Sequence, residues 1–370
     1  MVAALGPPGR GLLPIDTRQD VHVRYRDDCG GKTRLLTIVA LLAGLALAGC
    51  GRDSGTRASH LVGRWTPFVH VTGAVDLTGP RSDGLLTVAA SGRLSLLRSG
   101  GVLASFARGD VGYSTALGPE PYIAMTRDQQ VAGPGCTFGG DELFAIEPSA
   151  HPSIIAVNAQ GIAQRAADLP LGLMPNGIAF DDVGRFRHRL LVTASQNGET
   201  TLFAVDCHGT VATINSRLPR VEGGLSVAPA SFGRFGGWLI APDEYSGRIV
   251  AIDAHGRAEV LAKSGIPSGG DIGVESTGFV PPGFGPGDAA YVSDRLSKGS
   301  PTPGTNSILR LTGVALLGAG VRPGDLLVAS EGGADTVVVH CAATCSVRHI
   351  AVGPTSSHGE GHIVFSGDNG

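Results

Sequence analysis

Polar side chains recur in this sequence at one kind of position, immediately before a short apolar run. Glu120 precedes Pro121-Tyr122-Ile123, and Asn176 precedes Gly177-Ile178. Glu222 precedes Gly223-Gly224-Leu225, Glu275 precedes Ser276-Thr277-Gly278, and Glu360 precedes Gly361-His362-Ile363. Four carboxylates and an amide at equivalent places would repel one another if they converged, unless they were protonated, solvated or bridged by a cation. Oxygen donors suit Ca²⁺ or another hard divalent ion. The alternative is a solvated rim whose carboxylates cap strand-end amides. Asp243-Glu244 and Asp294-Arg295 each follow another apolar run, and His358 and His362 flank Glu360.

The elements that would carry these residues repeat. Ile154–Val157 then Asn158-Ala-Gln-Gly161, Leu202–Val205 then Asp206-Cys-His-Gly209, and Ile249–Ile252 then Asp253-Ala-His-Gly256 share one pattern. It is an apolar strand, an Asn or Asp, two free positions, and a turn glycine. Leu86–Gly92 reads as a weaker copy. Glycines 161, 209 and 256 are 48 and 47 residues apart, the length of one four-stranded blade of a β-propeller. Two further short runs precede each hairpin, such as Gly177–Phe180 with Leu190–Thr193, and Thr277–Val280 with Ala290–Ser293. The predicted fold is all-β over residues 66–370, a six-bladed propeller, with seven blades as the alternative count. Leu85–Phe106 should supply the second to fourth strands of a blade whose first strand is Gly361–Phe365, closing the ring and removing its edges.

Residues 35–47 are uncharged and apolar and follow Lys32 and Arg34. Such a run is shorter than the roughly 20 residues of a membrane span and fits a secretory signal. Leu47-Ala48-Gly49-Cys50 resembles the lipobox of bacterial lipoproteins, which implies lipid on Cys50 and a protein anchored on the extracytoplasmic face of the cell membrane. Residues 1–49 then read as an over-extended start plus signal peptide, and 50–65 as a flexible tether. Removing the six Lys/Arg and four Asp/Glu of residues 1–50 leaves 23 basic and 28 acidic residues, a net charge of −5. That balance gives no reason to expect nucleic acid or a polybasic membrane patch.

Four cysteines remain after Cys50. In an exported chain they point to disulfides. Cys341 and Cys345 bracket a hairpin turn and should pair, leaving Cys136 with Cys207. A zinc site of His340, Cys341, Cys345 and His349 is the alternative.

Pro175-Asn176-Gly177-Ile178-Ala179-Phe180-Asp181 resembles the blade opening of the NHL-repeat and gluconolactonase/strictosidine-synthase-like propellers. The resemblance implies a divalent cation at the axial end of the channel, held by a Glu, Asn residues and an Asp. It places Asn176 among the ligands and maps the family's catalytic Asp onto Asp294, in Ser293-Asp294. The family's early Glu-Gly-Pro-Xaa-Trp motif has no counterpart near residues 71–84. The sequence contains no Gly-Xaa-Ser-Xaa-Gly elbow, no His-Glu-Xaa-Xaa-His and no phosphate-binding glycine loop. A monomeric module that binds a small molecule or a protein at its channel mouth is therefore the expected function. A metal-dependent lactonase- or esterase-like hydrolase at the same mouth is the alternative.

Overall fold

The computed structural model describes residues 62–107, 120–127, 129–133 and 135–367. Cys50 lies outside these residues. The strands form six sheets. The first strands are Ala74–Thr78, Ile123–Met125, Met174–Phe180, Ser226–Val227, Val274–Phe279 and Gly359–Gly367. Each touches the next, and the last returns to the first, so the sheets are the blades of a six-bladed propeller. The apolar runs of successive blades pack face to face, with Phe180, Leu190 and Phe203 of blade 3 against Ile146 and Ile154 of blade 2. Among the described residues no helix is long and apolar enough to cross a membrane.

The repeat read from sequence is structural. Glycines 161, 209 and 256 have φ of 83°, 78° and 80° and turn the third strand into the fourth in blades 2, 3 and 4. In each turn the Asn or Asp side chain accepts two backbone N–H groups. Asn158 takes those of Gln160 and Ile162, Asp206 those of His208 and Thr210, and Asp253 those of His255 and Arg257. The Leu86–Gly92 segment is not an equivalent copy, because Ser91-Gly92 joins the second and third strands of blade 1.

Ring closure differs from the expectation. Gly359–Gly367 is a first strand, but Leu86–Ser105 forms its own blade with Ala74–Thr78. The shared blade comprises Gly359–Gly367, Asp288–Asp294, Ser307–Thr312 and the N-terminal Thr66–His70. Thr277–Val280 and Ala290–Ser293 therefore do not belong to one blade. Val274–Phe279 pairs with Leu326–Ser330, and the intervening hairpin lies in the next sheet. Apolar periodicity marks a strand without naming its partner, and sequential strands are not always neighbours. Gly63–Arg64 adds a fifth, parallel strand to blade 5, and Trp65 is buried with its Nε1 donating to Thr336 Oγ1, so packing begins before residue 66.

Both expected disulfides form. Cys136–Cys207 links blades 2 and 3, and Cys341–Cys345 closes the blade 5 hairpin. Cys341 and Cys345 pack into the blade 4–5 core while His340 on the other face meets Asp325, so the four zinc candidates do not converge.

Candidate functional site at the channel mouth

The five ring residues lie at or just before the starts of first strands, which places them at one end of the channel. Three carboxylates converge closely there. Arg295 Nη1 donates to Glu120 Oε1 at 3.2 Å and to Glu360 Oε1 at 2.9 Å. Tyr122 Oη lies 2.8 Å from Glu275 Oε1 and 2.7 Å from Glu360 Oε2. Glu222 stands aside with Arg220 at 3.1 Å, and Arg220 also reaches Glu244 at 3.5 Å and stacks over Tyr245. Asn176 donates to Val221 O at 3.1 Å, and its Oδ1 is buried without a partner.

Backbone geometry makes this crowding possible. Gly223 has φ of 85°, and a Cβ there would lie 2.3 Å from Glu275 Oε1. The Glu-Gly pairing at 222–223 thus lets the neighbouring carboxyl pack against bare backbone.

Burial, with the Glu360 charge next, pushes Glu120 up to about 8. Burial and the nearby Glu222 push Glu244 up to about 9. Burial and Glu360 hold Glu275 well above the carboxylate range. Glu360 goes the other way: burial would raise it, but His358 and Arg295 outweigh burial and lower it. Burial would lower His358, yet its hydrogen bonds to Glu331 and Glu360 push it up to about 10.

Glu331, His358 and Glu360 are the set best arranged to hold a metal ion. All three are buried, and one ligand atom from each lies within 4.8 Å of the others. His358 Nε2 is 2.8 Å from Glu331 Oε1 and 3.5 Å from Glu360 Oε1. Ser300 Oγ lies 3.3 Å from His358 Nδ1, the kind of outer contact that orients a ligating imidazole. Glu331 Oε2 is buried and unpartnered, which leaves a donor for an ion. One nitrogen and carboxylate oxygens fit Mn²⁺ or Zn²⁺ better than Ca²⁺. Only Glu360 of the five ring residues belongs to this set.

Asp294 is fully buried and does not face the mouth as a free acid. It accepts from Thr305 Oγ1 at 2.5 Å and from the His358 N–H at 2.8 Å, so its contacts hold the His358 segment. Asp243 likewise accepts from Ser246 N in its own turn. Sequence reading passed over Tyr122, Glu331 and Asp76. Tyr122 reads as strand filler, whereas Glu331-Gly332-Gly333 ends a second strand just as Asp243-Glu244 and Asp294-Arg295 do. That shared position was the available signal for Glu331.

No family model matches the chain, and no curated protein matches its sequence. Solved structures resemble it at low identity. Virginiamycin B lyase from Staphylococcus aureus is 14% identical, with 80% of this chain and 92% of that one covered and a TM-score of 0.40. A putative TolB from Agrobacterium tumefaciens is 10% identical, with 78% and 83% covered and a TM-score of 0.45. A gluconolactonase from Xanthomonas campestris is 16% identical, with 63% and 69% covered and a TM-score of 0.38.

Proposed function

We propose that this chain is a lipid-anchored, extracytoplasmic binding propeller that captures a small ligand at its acidic mouth through a divalent cation. The observation that carries the reading is the buried Glu331–His358–Glu360 cluster, with its donor atoms within 4.8 Å. A cation held there would offer a Lewis-acid site to an oxygen-bearing ligand. Tyr122 holds Glu360 through Oε2, Arg295 shares Glu360 Oε1 with His358, and Ser300 and Asp294 fix His358 itself.

A second reading adds turnover at the same place. Glu120 and Glu244, pushed up to about 8 and about 9, can exchange protons close to neutral pH, as general acid–base catalysis requires. Incubating the Mn²⁺- or Zn²⁺-loaded protein with δ-gluconolactone and with p-nitrophenyl acetate separates the two. The binding reading expects no hydrolysis above a His358→Gln control. Hydrolysis that the substitution abolishes would replace it with the hydrolase reading.

A further inference from the structure

The end of the propeller opposite the mouth carries an unassigned basic recess. It lies on blade 5, where Thr336–Cys341 turns into Cys345–Val352. Val339, Cys341, Cys345 and Val347 face the core. The alternate residues pair across the strands on the other face, His340 with Ser346 and Val338 with Arg348. With Arg322 and Asp325 from the loop before Leu326–Ser330 they line an open recess of about 200 Å³.

The hydrogen-bond inventory of this recess is unbalanced. Asp325 is used on both oxygens: Oδ1 meets His340 Nδ1 at 2.7 Å, and Oδ2 accepts the Arg322 backbone N–H at 2.9 Å. Among the described residues, neither the Arg322 nor the Arg348 guanidinium has a hydrogen-bond or ion-pair partner. Arg348 Nη1 is moreover buried without an acceptor. A buried charged donor left unpaired is costly, so an acceptor from outside the chain is the expected complement. Two guanidinium groups, an imidazole and the Ser346 hydroxyl surround the space, against a single carboxylate already engaged.

We infer that this recess binds a tetrahedral oxyanion, a phosphate or the phosphate of an ester. The arginines come from two separate segments, so their forks reach an anion from different sides. A tetrahedral acceptor with oxygens all round suits that arrangement better than a flat carboxylate. The Cys341–Cys345 link fixes the hairpin that presents His340, Ser346 and Arg348. The phosphate comes from a soluble ester or from a phospholipid headgroup, and the chemistry at the recess is the same for both.

Calorimetric titration of the full chain with inorganic phosphate tests the site. Saturable binding is expected, with sulfate competing and acetate not. Arg348→Gln and Arg322→Gln should each weaken it by about tenfold or more, with Arg348→Lys in between. Arg165→Gln, an exposed arginine on blade 2 that already donates to Asp168, should leave it unchanged. Arg348→Gln should melt no lower than wild type without phosphate, since it removes an unpaired buried donor; if that variant fails to fold, the exposed Arg322→Gln decides. Sedimentation with phosphatidylcholine vesicles, with and without phosphatidylglycerol, identifies the source. Phosphatidylglycerol-dependent binding that phosphate displaces assigns a headgroup, and phosphate binding alone assigns a soluble ester. A wild-type protein that binds neither phosphate nor the anionic vesicles, or glutamine variants that both bind phosphate as tightly as wild type, overturns the inference.

Discussion

The phenol oxygen of Tyr122 lies 2.8 Å from Glu275 Oε1 and 2.7 Å from Glu360 Oε2. Tyr122 has one hydroxyl hydrogen but meets two acceptor oxygens, Glu275 Oε1 and Glu360 Oε2. One contact must therefore be donated by a protonated carboxyl. Glu275 is held well above its usual range by burial, then by Glu360, while Glu360 is lowered by His358 and Arg295 against burial. The hydrogens thus run from Glu275 to Tyr122 to Glu360. Glu275→Gln preserves a neutral donor and should change stability by no more than about 1 kcal/mol. Glu360→Gln strips the charge facing Arg295 and His358 and should cost about 3–5 kcal/mol. Urea unfolding of the metal-free proteins checks this, and equal losses would refute the assignment.

Stability of the metal-free protein should fall as pH rises. Glu120 goes from 4.5 to about 8, Glu244 from 4.5 to about 9, and His358 from 6.5 to about 10. In each case the native state keeps a proton that the unfolded chain has already released. The associated stability is complete below the unfolded value and is lost as pH climbs through the folded one. Thermal melts in chelator should decline from pH 5 to pH 10, by about 2–4 °C for each kcal/mol lost. A flat or rising profile would contradict the pattern, and Glu120→Gln with Glu244→Gln should flatten it.

Deeper in the channel, Asp76 and His362 hold four inner strands together. Asp76 accepts from the N–H groups of Leu77, Ile123 and His362, each at 2.7 Å, and lies 2.9 Å from His362 Nδ1. His362 Nε2 lies 2.9 Å from Ile178 O. Burial would lower His362, but Asp76 outweighs it and raises it, consistent with an imidazolium that donates from both nitrogens. Asp76→Asn should cost about 3–5 kcal/mol, measured by urea unfolding. A loss under about 1 kcal/mol would mean the pair is not the latch of blades 1 and 6.

Local chemistry was readable from the sequence where one segment determines its own shape. Asn158, Asp206 and Asp253 announced their turns because each side chain caps backbone two and four residues onward. The positions of Glu120, Glu275 and Glu360 followed from the same repeat. Blade membership of Asp288–Asp294 was not readable, because its partner Gly359–Gly367 lies far along the chain. Glu331 and Tyr122 were hidden for a related reason. Their importance comes from His358, Glu275 and Glu360, which reach them only through the closed ring.

Anchoring has its own test. Cys50→Ser should leave the protein unlabelled by radioactive palmitate and absent from the washed membrane fraction. Label incorporated into the substituted protein would sink the lipidation proposal.

The central claim is a divalent cation on Glu331, His358 and Glu360. Its most direct measurement is a calorimetric titration of Mn²⁺ and Zn²⁺ into chelator-stripped protein, alongside Glu331→Gln and His358→Gln. One ion per chain should bind wild type and raise its melting temperature by mass action. Each substitution should weaken binding by about 10-fold to 100-fold while the metal-free protein still melts cooperatively. Wild-type protein that takes up neither ion, or folded variants that bind as tightly as wild type, would contradict the account.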